Sequence, residues 1–250
     1  MRALLMGAYG LVCYVIFFVT FLYAIAFVGD LPVPKTINSG PPAGLLETLG
    51  VNAALLTLFA VQHSVMARPA FKRWWTRIVA PPIERSTYVL LASLCLIVLF
   101  AFWRPLPQTV WAVGPGPLAT ALTALFFLGF GIVLVSTFLI NHFELFGLKQ
   151  VWDRFRGHVP AGPHFVTPWL YRFVRHPLYF GFILAFWATP HMTVGRLFFA
   201  VMTLAHILVA IQLEERDLTD EFGDRYRTYK RQVGMLLPKL SGRSRPERAA

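Results

Sequence analysis

Residues 4–28 read LLMGAYGLVCYVIFFVTFLYAIAFV and carry no charged side chain. A bilayer hydrocarbon core near 30 Å takes about 20 apolar residues as a helix. The apolar core of a secretory signal is only about 7–15 residues long. The stretch therefore reads as a retained membrane helix. Similar runs follow at 44–66, 87–103, 118–140 and 195–213. A shorter run, Leu178–Thr189, is bounded by Pro177 and Pro190. It suits a short or tilted span, or half of a helical hairpin. The expected fold is an all-α integral membrane protein of about six transmembrane helices, with five as the alternative, ending in a cytoplasmic helical tail.

The composition agrees. Hydrophobic residues make up 56% of the 250 and charged residues 14%, against about 25% charged in soluble chains. The mean hydropathy is +0.59. These values exclude soluble globular, disordered and collagen-like readings. The net charge of +11 would suit nucleic acid only as a basic stripe on a soluble domain. Here the basic residues sit between apolar runs, so no nucleic-acid partner is expected. Cys13 and Cys95 both lie inside apolar runs and offer neither a disulfide framework nor a metal site. The nearest histidine spacing, His158 and His164, falls in a Pro/Gly-rich loop. No metal is expected.

The loops orient the chain. Arg68, Lys72, Arg73, Arg77 and Arg85 follow the second run, and Lys149, Arg154, Arg156, Arg172 and Arg175 follow the fourth. The tail adds Arg216, Arg225, Arg227, Lys230 and Arg231. The intervening loops carry only Lys35, Arg104 and Arg196. The positive-inside rule puts both termini and the basic loops in the cytoplasm, and six spans satisfy that parity. A bacterial inner membrane is the expected location. The chain divides into a four-helix region, 1–140, and a catalytic, cofactor-binding region, 141–250, whose end at Ser241–Ala250 reads as a frayed basic tail.

Chemistry concentrates in the second region. The segment Tyr171–Gly181 brings Arg172, Arg175, His176 and Tyr179 to the mouth of the short fifth span. Pro177 fits the first position of a helix, and a helix start favours carboxylate or phosphate ligands. Gly181 lets a ligand or another backbone approach. Taken singly, the arginine and tyrosine are also ordinary interfacial residues. Glu214 and Glu215 end the last apolar run, where carboxylates oppose the helix dipole. That placement suggests that they hold hydroxyl or ammonium groups, or brace Arg175. Asp217, Asp220, Glu221 and Asp224 read as members of a solvated tail helix.

Arg-His-Pro-x-Tyr-x-Gly at 175–181, Glu-Glu-x-x-Leu at 214–218, Phe-Gly-x-x-Tyr-x-x-Tyr at 222–229 and the closing Leu-x-Pro at 236–238 form a joint pattern. It resembles the C-terminal part of membrane methyltransferases of the isoprenylcysteine carboxyl methyltransferase and phospholipid N-methyltransferase kind. The resemblance implies an S-adenosyl-L-methionine site without a dinucleotide-binding domain, in keeping with the absence of a Gly-x-Gly-x-x-Gly fingerprint. On that likeness Arg175, His176, Tyr179 and Gly181 frame the methionine end, Glu214 and Glu215 hold ribose or amino groups, and Tyr226 and Tyr229 cover the pocket.

Two more polar groups border apolar runs: Gln62-His63-Ser64 with Arg68 and Glu84-Arg85-Ser86-Thr87-Tyr88, and Asn141-His142-Phe143-Glu144. Ionisable residues at membrane depth default to a functional hypothesis. With them the pattern resembles the bacterial methanethiol S-methyltransferases, which make dimethyl sulfide, and part of it is shared with denitrification-associated membrane proteins. The resemblance implies a small thiol as substrate and no obligatory protein partner. The acceptor side is expected to use His142 first and His63 second, with Glu144 and Arg85 beside them; a lone His206 reads as a helix contact. Three other readings stay open: a methyltransferase for lipid or prenylcysteine, an NADPH-dependent sterol-type reductase whose cofactor phosphate meets Arg225, Arg227, Lys230 and Arg231, and a non-catalytic membrane or transport protein.

Overall fold

The computed structural model describes residues 1–41, 43–158 and 165–239. His164 and Ser241–Ala250, read above as loop and tail, lie outside these.

Among the described residues, five helices are long and apolar enough to cross a membrane: α1 (Arg2–Gly29), α2 (Leu45–Met66), α4 (Pro81–Phe102), α5 (Pro117–Ile140) and α9 (Val194–Phe222). Shorter helices are α3 (Pro69–Trp75), α6 (His142–Leu145), α7 (Leu148–Arg156), α8 (Pro177–Trp187) and α10 (Asp224–Gln232). Proline opens α3, α4, α5 and α8, where its missing N–H costs nothing and its fixed φ suits the first turn. Asp30 closes α1 in the left-handed conformation, φ 55°. Thr193 caps α9 by accepting from the Arg196 N–H.

The short run is α8, antiparallel to α5. Gly181 lies against Gly129 and Val133, while Ala185 lies against Gly129. A Cβ on Gly129 would stand 2.6 Å from the Gly181 carbonyl oxygen, and one on Gly181 would stand 2.6 Å from that of Gly129. The two glycines therefore permit backbone-to-backbone packing, as small residues do between membrane helices. At 1.5 Å per residue α8 is only about 16 Å long. After α8 the chain continues through residues 188–190 into strand β2 (His191–Thr193), which pairs antiparallel with β1 (Thr109–Ala112) ahead of α5. Five long helices and one short apolar helix thus stand where the six apolar runs were read. The β1–β2 ribbon was not expected, because four polar and apolar residues between two spans give no periodic signal.

The core at this far end holds Phe27, Ile37, Phe100, Trp103, Phe126 and Phe130. The Trp103 indole N–H donates to the Ile37 carbonyl at 3.0 Å, and Asn52 makes paired bonds with the Arg104 backbone. Two boundaries differ from expectation. Helix α4 starts at Pro81 rather than near residue 87, because Glu84 and Ser86 are buried in the packing and not solvated. Helix α9 runs to Phe222, past residue 213, so Glu214 and Glu215 sit in its body. The argument from an opposing dipole at a helix end does not hold for them, since such effects fade within the last turn.

Candidate active site

The first turn of α8 meets α9 through a buried charge cluster. Arg175 Nε donates to Glu215 Oε1 at 2.7 Å, and His176 Nε2 lies 3.1 Å from the same oxygen. Lys230 Nζ reaches Glu215 Oε2 at 2.6 Å. The side chains of Arg175 and Glu215 are 8% and 3% exposed. Arg175 Nη1 donates to the carbonyls of Lys230 and Val233. Two cations and an imidazole around one carboxylate offset the cost of burying the charges. The tail is bound as tightly by its backbone: Arg175 N–H donates to Gly234 and His176 N–H to Met235. Residues 233–235 therefore strap the entry to α8.

The neighbouring Glu214 is different. Its side chain is 42% exposed, with Oε2 accepting from the Tyr179 hydroxyl at 3.0 Å and lying 4.0 Å from His176 Nδ1. No side chain caps α8, so its first N–H groups stay open to an anion. Above them Tyr229 donates to the Tyr171 carbonyl, and Phe165 packs edge-on against Tyr226 and Tyr229. Burial pushes the Tyr229 phenol up to about 12 and raises those of Tyr171 and Tyr226 as well. All three stay neutral hydroxyls at physiological pH. Tyr226 is buried, and its hydroxyl has no hydrogen-bond partner among the described residues. An open cavity of about 400 Å³ adjoins the cluster, lined by Gln212, Glu215, Arg216, Thr219, Asp220 and Lys230.

From the other half of the chain, Tyr88 and Arg68 come within Coulombic reach of Tyr179. Arg68 pairs with Asp217 at 2.7 Å and ties the end of α2 to α9. Asp217 is thus a half-buried interhelical partner, not a purely solvated tail residue. The Tyr88 hydroxyl lies 2.9 Å from His63 Nδ1 and 3.1 Å from Nε2. Arg85 covers the Tyr88 ring at 4.8 Å and donates to the Leu145 carbonyl at 2.7 Å. His63 stacks on Phe59 and sits 6.5 Å from His206, centroid to centroid.

His142 stands apart. It is buried, with Nε2 2.9 Å from the Tyr14 hydroxyl and Nδ1 2.8 Å from Thr137 Oγ1. It also stacks on Phe138 at 4.2 Å. Burial lowers its pKa. Asn141 and Glu144, which flank His142 in sequence, bond to each other rather than to its ring, Nδ2 to Oε2 at 2.7 Å. The path from His142 to the α8–α9 cluster runs through Leu145, Arg85 and Tyr88.

The structure thus gathers Arg175, His176, Tyr179, Glu214, Glu215, Tyr226 and Tyr229 into one cluster. His63 and Arg85 lie beside it, and His142 and Glu144 at the α5–α7 corner. Gly181 faces α5. Sequence reasoning missed Lys230 as a site member and placed it on a cofactor phosphate; its signal was a cation two turns past Phe222-Gly223, within reach of the last span. The other basic residues of that reading are also engaged: Arg227 with Asp224, Arg231 with Thr228, and Arg225 over Phe165.

The model of the NnrU protein family matches residues 52–236. Methanethiol S-methyltransferase 1 of Bradyrhizobium diazoefficiens is 57% identical over 92% of this chain and 81% of its own length. The methanethiol S-methyltransferase of Mycobacterium tuberculosis is 54% identical over 95% of this chain and 98% of its own. Nurim of Xenopus laevis is 33% identical over 68% of this chain and 62% of its own length. No solved structure matches. A family model matched over most of the chain and relatives of this identity and coverage show that the chain belongs to the NnrU protein family and to the family of methanethiol S-methyltransferases.

Proposed function

We propose that the protein transfers a methyl group from S-adenosylmethionine to methanethiol, giving dimethyl sulfide, at the cytoplasmic face of a bacterial inner membrane. The observation that carries the reaction is the 57% identity to a relative named for it. The site chemistry suits the donor. A methionine zwitterion needs an anion site beside a carboxylate, and the uncapped start of α8 lies next to the half-exposed Glu214. The orphaned Tyr226 hydroxyl offers a further partner, and a buried unsatisfied hydroxyl calls for one. The methyl sulfonium, when bound, supplies an electrophilic methyl group.

In this assignment the region 141–250 holds the cofactor and the region 1–140 shapes the acceptor side. Glu215 is fully engaged, so it holds Arg175, His176 and Lys230 in place and leaves Glu214 and Tyr179 to face the ligand. Tyr226 and Tyr229 cover the site, and Gly181 fixes α8 against α5. Free aliphatic thiols are mostly protonated at neutral pH, as a Cys side chain is with its pKa of about 8.5. Alignment and a proton acceptor are then what the protein adds. His63 suits that role through Tyr88 and the cationic Arg85 and Arg68 around it, since nearby cations favour thiolate. His142, the first choice from sequence, is the competing base; with both nitrogens on hydroxyls it would act through Tyr14.

The test uses the purified full chain in lipid nanodiscs, with methanethiol and methyl-labelled S-adenosylmethionine. Labelled dimethyl sulfide in the headspace is the expected outcome. Binding of NADPH in place of S-adenosylhomocysteine, with no labelled product, would overturn the assignment.

A further inference from the structure

At the end of α9 opposite the candidate active site lies a second cavity, of about 120 Å³. Arg196 and Glu215 are 19 residues apart on one continuous helix, which separates the two sites by about 28 Å. The cavity is lined by Asp30, Asn38, Thr123, Phe127, His191 and Arg196, among others. Arg196 is 4% exposed, and its Nε has no hydrogen-bond partner among the described residues. Its guanidinium lies over the Phe126 ring at 5.6 Å, a contact that leaves the N–H edge unused. A buried guanidinium with unsatisfied donors is costly unless an acceptor reaches it.

The walls are ordered by polar bonds. Asn38 Nδ2 donates to Asp30 Oδ2 at 3.0 Å, Thr193 Oγ1 donates to Asn38 Oδ1 at 2.7 Å, and Thr193 caps α9 through the Arg196 N–H. The first N–H groups of α9 are taken by Gln108, Leu106 and Thr193, so the unpaired donor facing this small space is the forked Arg196 guanidinium, a geometry that suits oxyanions. The mouth decides the source. Phe127 and Thr123 are exposed on the outer surface of α5, and Asp30 is exposed beside them. The cavity thus opens toward the membrane flank at interface depth, where lipid headgroups lie. Its size suits one phosphate group and excludes a nucleoside. Asp30 adds a place for an ammonium group next to it.

We propose that this cavity binds the phosphate of a membrane lipid headgroup, with Arg196 as the phosphate ligand and a phosphoethanolamine head as the best match. The test is native mass spectrometry of the full chain with dioleoyl phosphatidylethanolamine, dioleoylglycerol and inorganic phosphate as separate probes. The wild type should keep a phosphatidylethanolamine adduct and no dioleoylglycerol adduct. Arg196→Gln should retain about tenfold less lipid, and Arg196→Lys an intermediate amount. Binding of S-adenosylhomocysteine at the far end checks that each variant is folded. Independently of any variant, added phosphatidylethanolamine should slow amide exchange in the wild type at residues 29–38 and 189–196. Equal lipid retention by a folded Arg196→Gln protein, or protection only elsewhere, overturns the proposal. Binding of inorganic phosphate without a lipid adduct overturns the lipid as its source.

Discussion

Arg175 and Glu215 meet at 2.7 Å with both side chains more than nine-tenths buried, joining the start of α8 to α9 across 40 residues of sequence. The contact divides the paired carboxylates by setting. Glu215 is surrounded by Arg175, His176 and Lys230, whereas Glu214 has one phenol, His176 Nδ1 at 4.0 Å and open space. A structural brace and a ligand-facing carboxylate should respond differently to mutation.

Removing the brace should damage the fold as well as the site. Arg175→Ala leaves Glu215 short of its buried partner, a loss of about 3–5 kcal/mol for broken buried pairs. The expected result is a clear fall in melting temperature together with lost S-adenosylhomocysteine affinity. Glu214→Gln, half-exposed, should keep the wild-type melting temperature while calorimetric affinity falls beyond about tenfold, or 1.4 kcal/mol. Equal melting losses in the two variants would contradict the division.

The Gly129–Gly181 contact gives a prediction for the membrane half. A methyl group at either position meets a backbone carbonyl at 2.6 Å, which only separation of α5 and α8 relieves. Overpacking typically costs about 1–3 kcal/mol. Gly181→Ala should therefore lower thermal stability in detergent, whereas Gly131→Ala, which has nothing within 4 Å, should not. Fluorescence-detected melting of both variants checks this.

His142 ties stability to pH. Burial lowers its folded-state pKa below the ordinary 6.5, so the neutral ring belongs to the native state. Its contribution is complete above that ordinary value. It is lost as the pH falls below about 6.5 and through the lowered folded value. Wild-type melting temperature should drop on acidification, and His142→Gln should flatten the drop while lowering stability at pH 7.5. A parallel curve for the variant would remove His142 as its source.

Much of this was legible in the sequence because hydropathy and loop charge are local signals. All six apolar runs became helices, and Arg175, His176, Tyr179 and the two carboxylates did converge. What was hidden depended on partners distant in the chain. Nothing around residue 214 reveals that α9 continues to Phe222, because the charges beyond Leu213 are stabilised by Arg68, Lys230 and Arg175 from elsewhere. Likewise, Asn141 and Glu144 stand close enough to His142 to suggest support for its ring. Yet the supporting hydroxyls come from Tyr14, 128 residues away, and Thr137. The local helix turn at 141–145 pairs Asn141 with Glu144 instead.

The proposed mechanism gives the thiol proton to a histidine, and the two candidate settings give opposite expectations. His63 lies beside Tyr88, among residues within Coulombic reach of the Glu214 end of the cluster. His142 is shielded by Tyr14, Thr137 and Phe138. If His63 is the base, His63→Ala should retain S-adenosylhomocysteine affinity yet lose methyl transfer by about 10²–10⁴-fold, the usual worth of general-base catalysis. The loss should shrink as the pH is raised toward 9, because free thiolate then replaces the proton acceptor. Tyr88→Phe should reproduce a smaller part of the loss, since it removes the hydroxyl and keeps the ring under Arg85. His142→Gln, assayed at pH 7.5 where it is folded, should keep most turnover. Headspace dimethyl sulfide from the three variants across pH 6.5–9 measures this directly. A loss confined to His142→Gln, rescued by high pH, would move the base to the α5–α7 corner with Tyr14 as the relay.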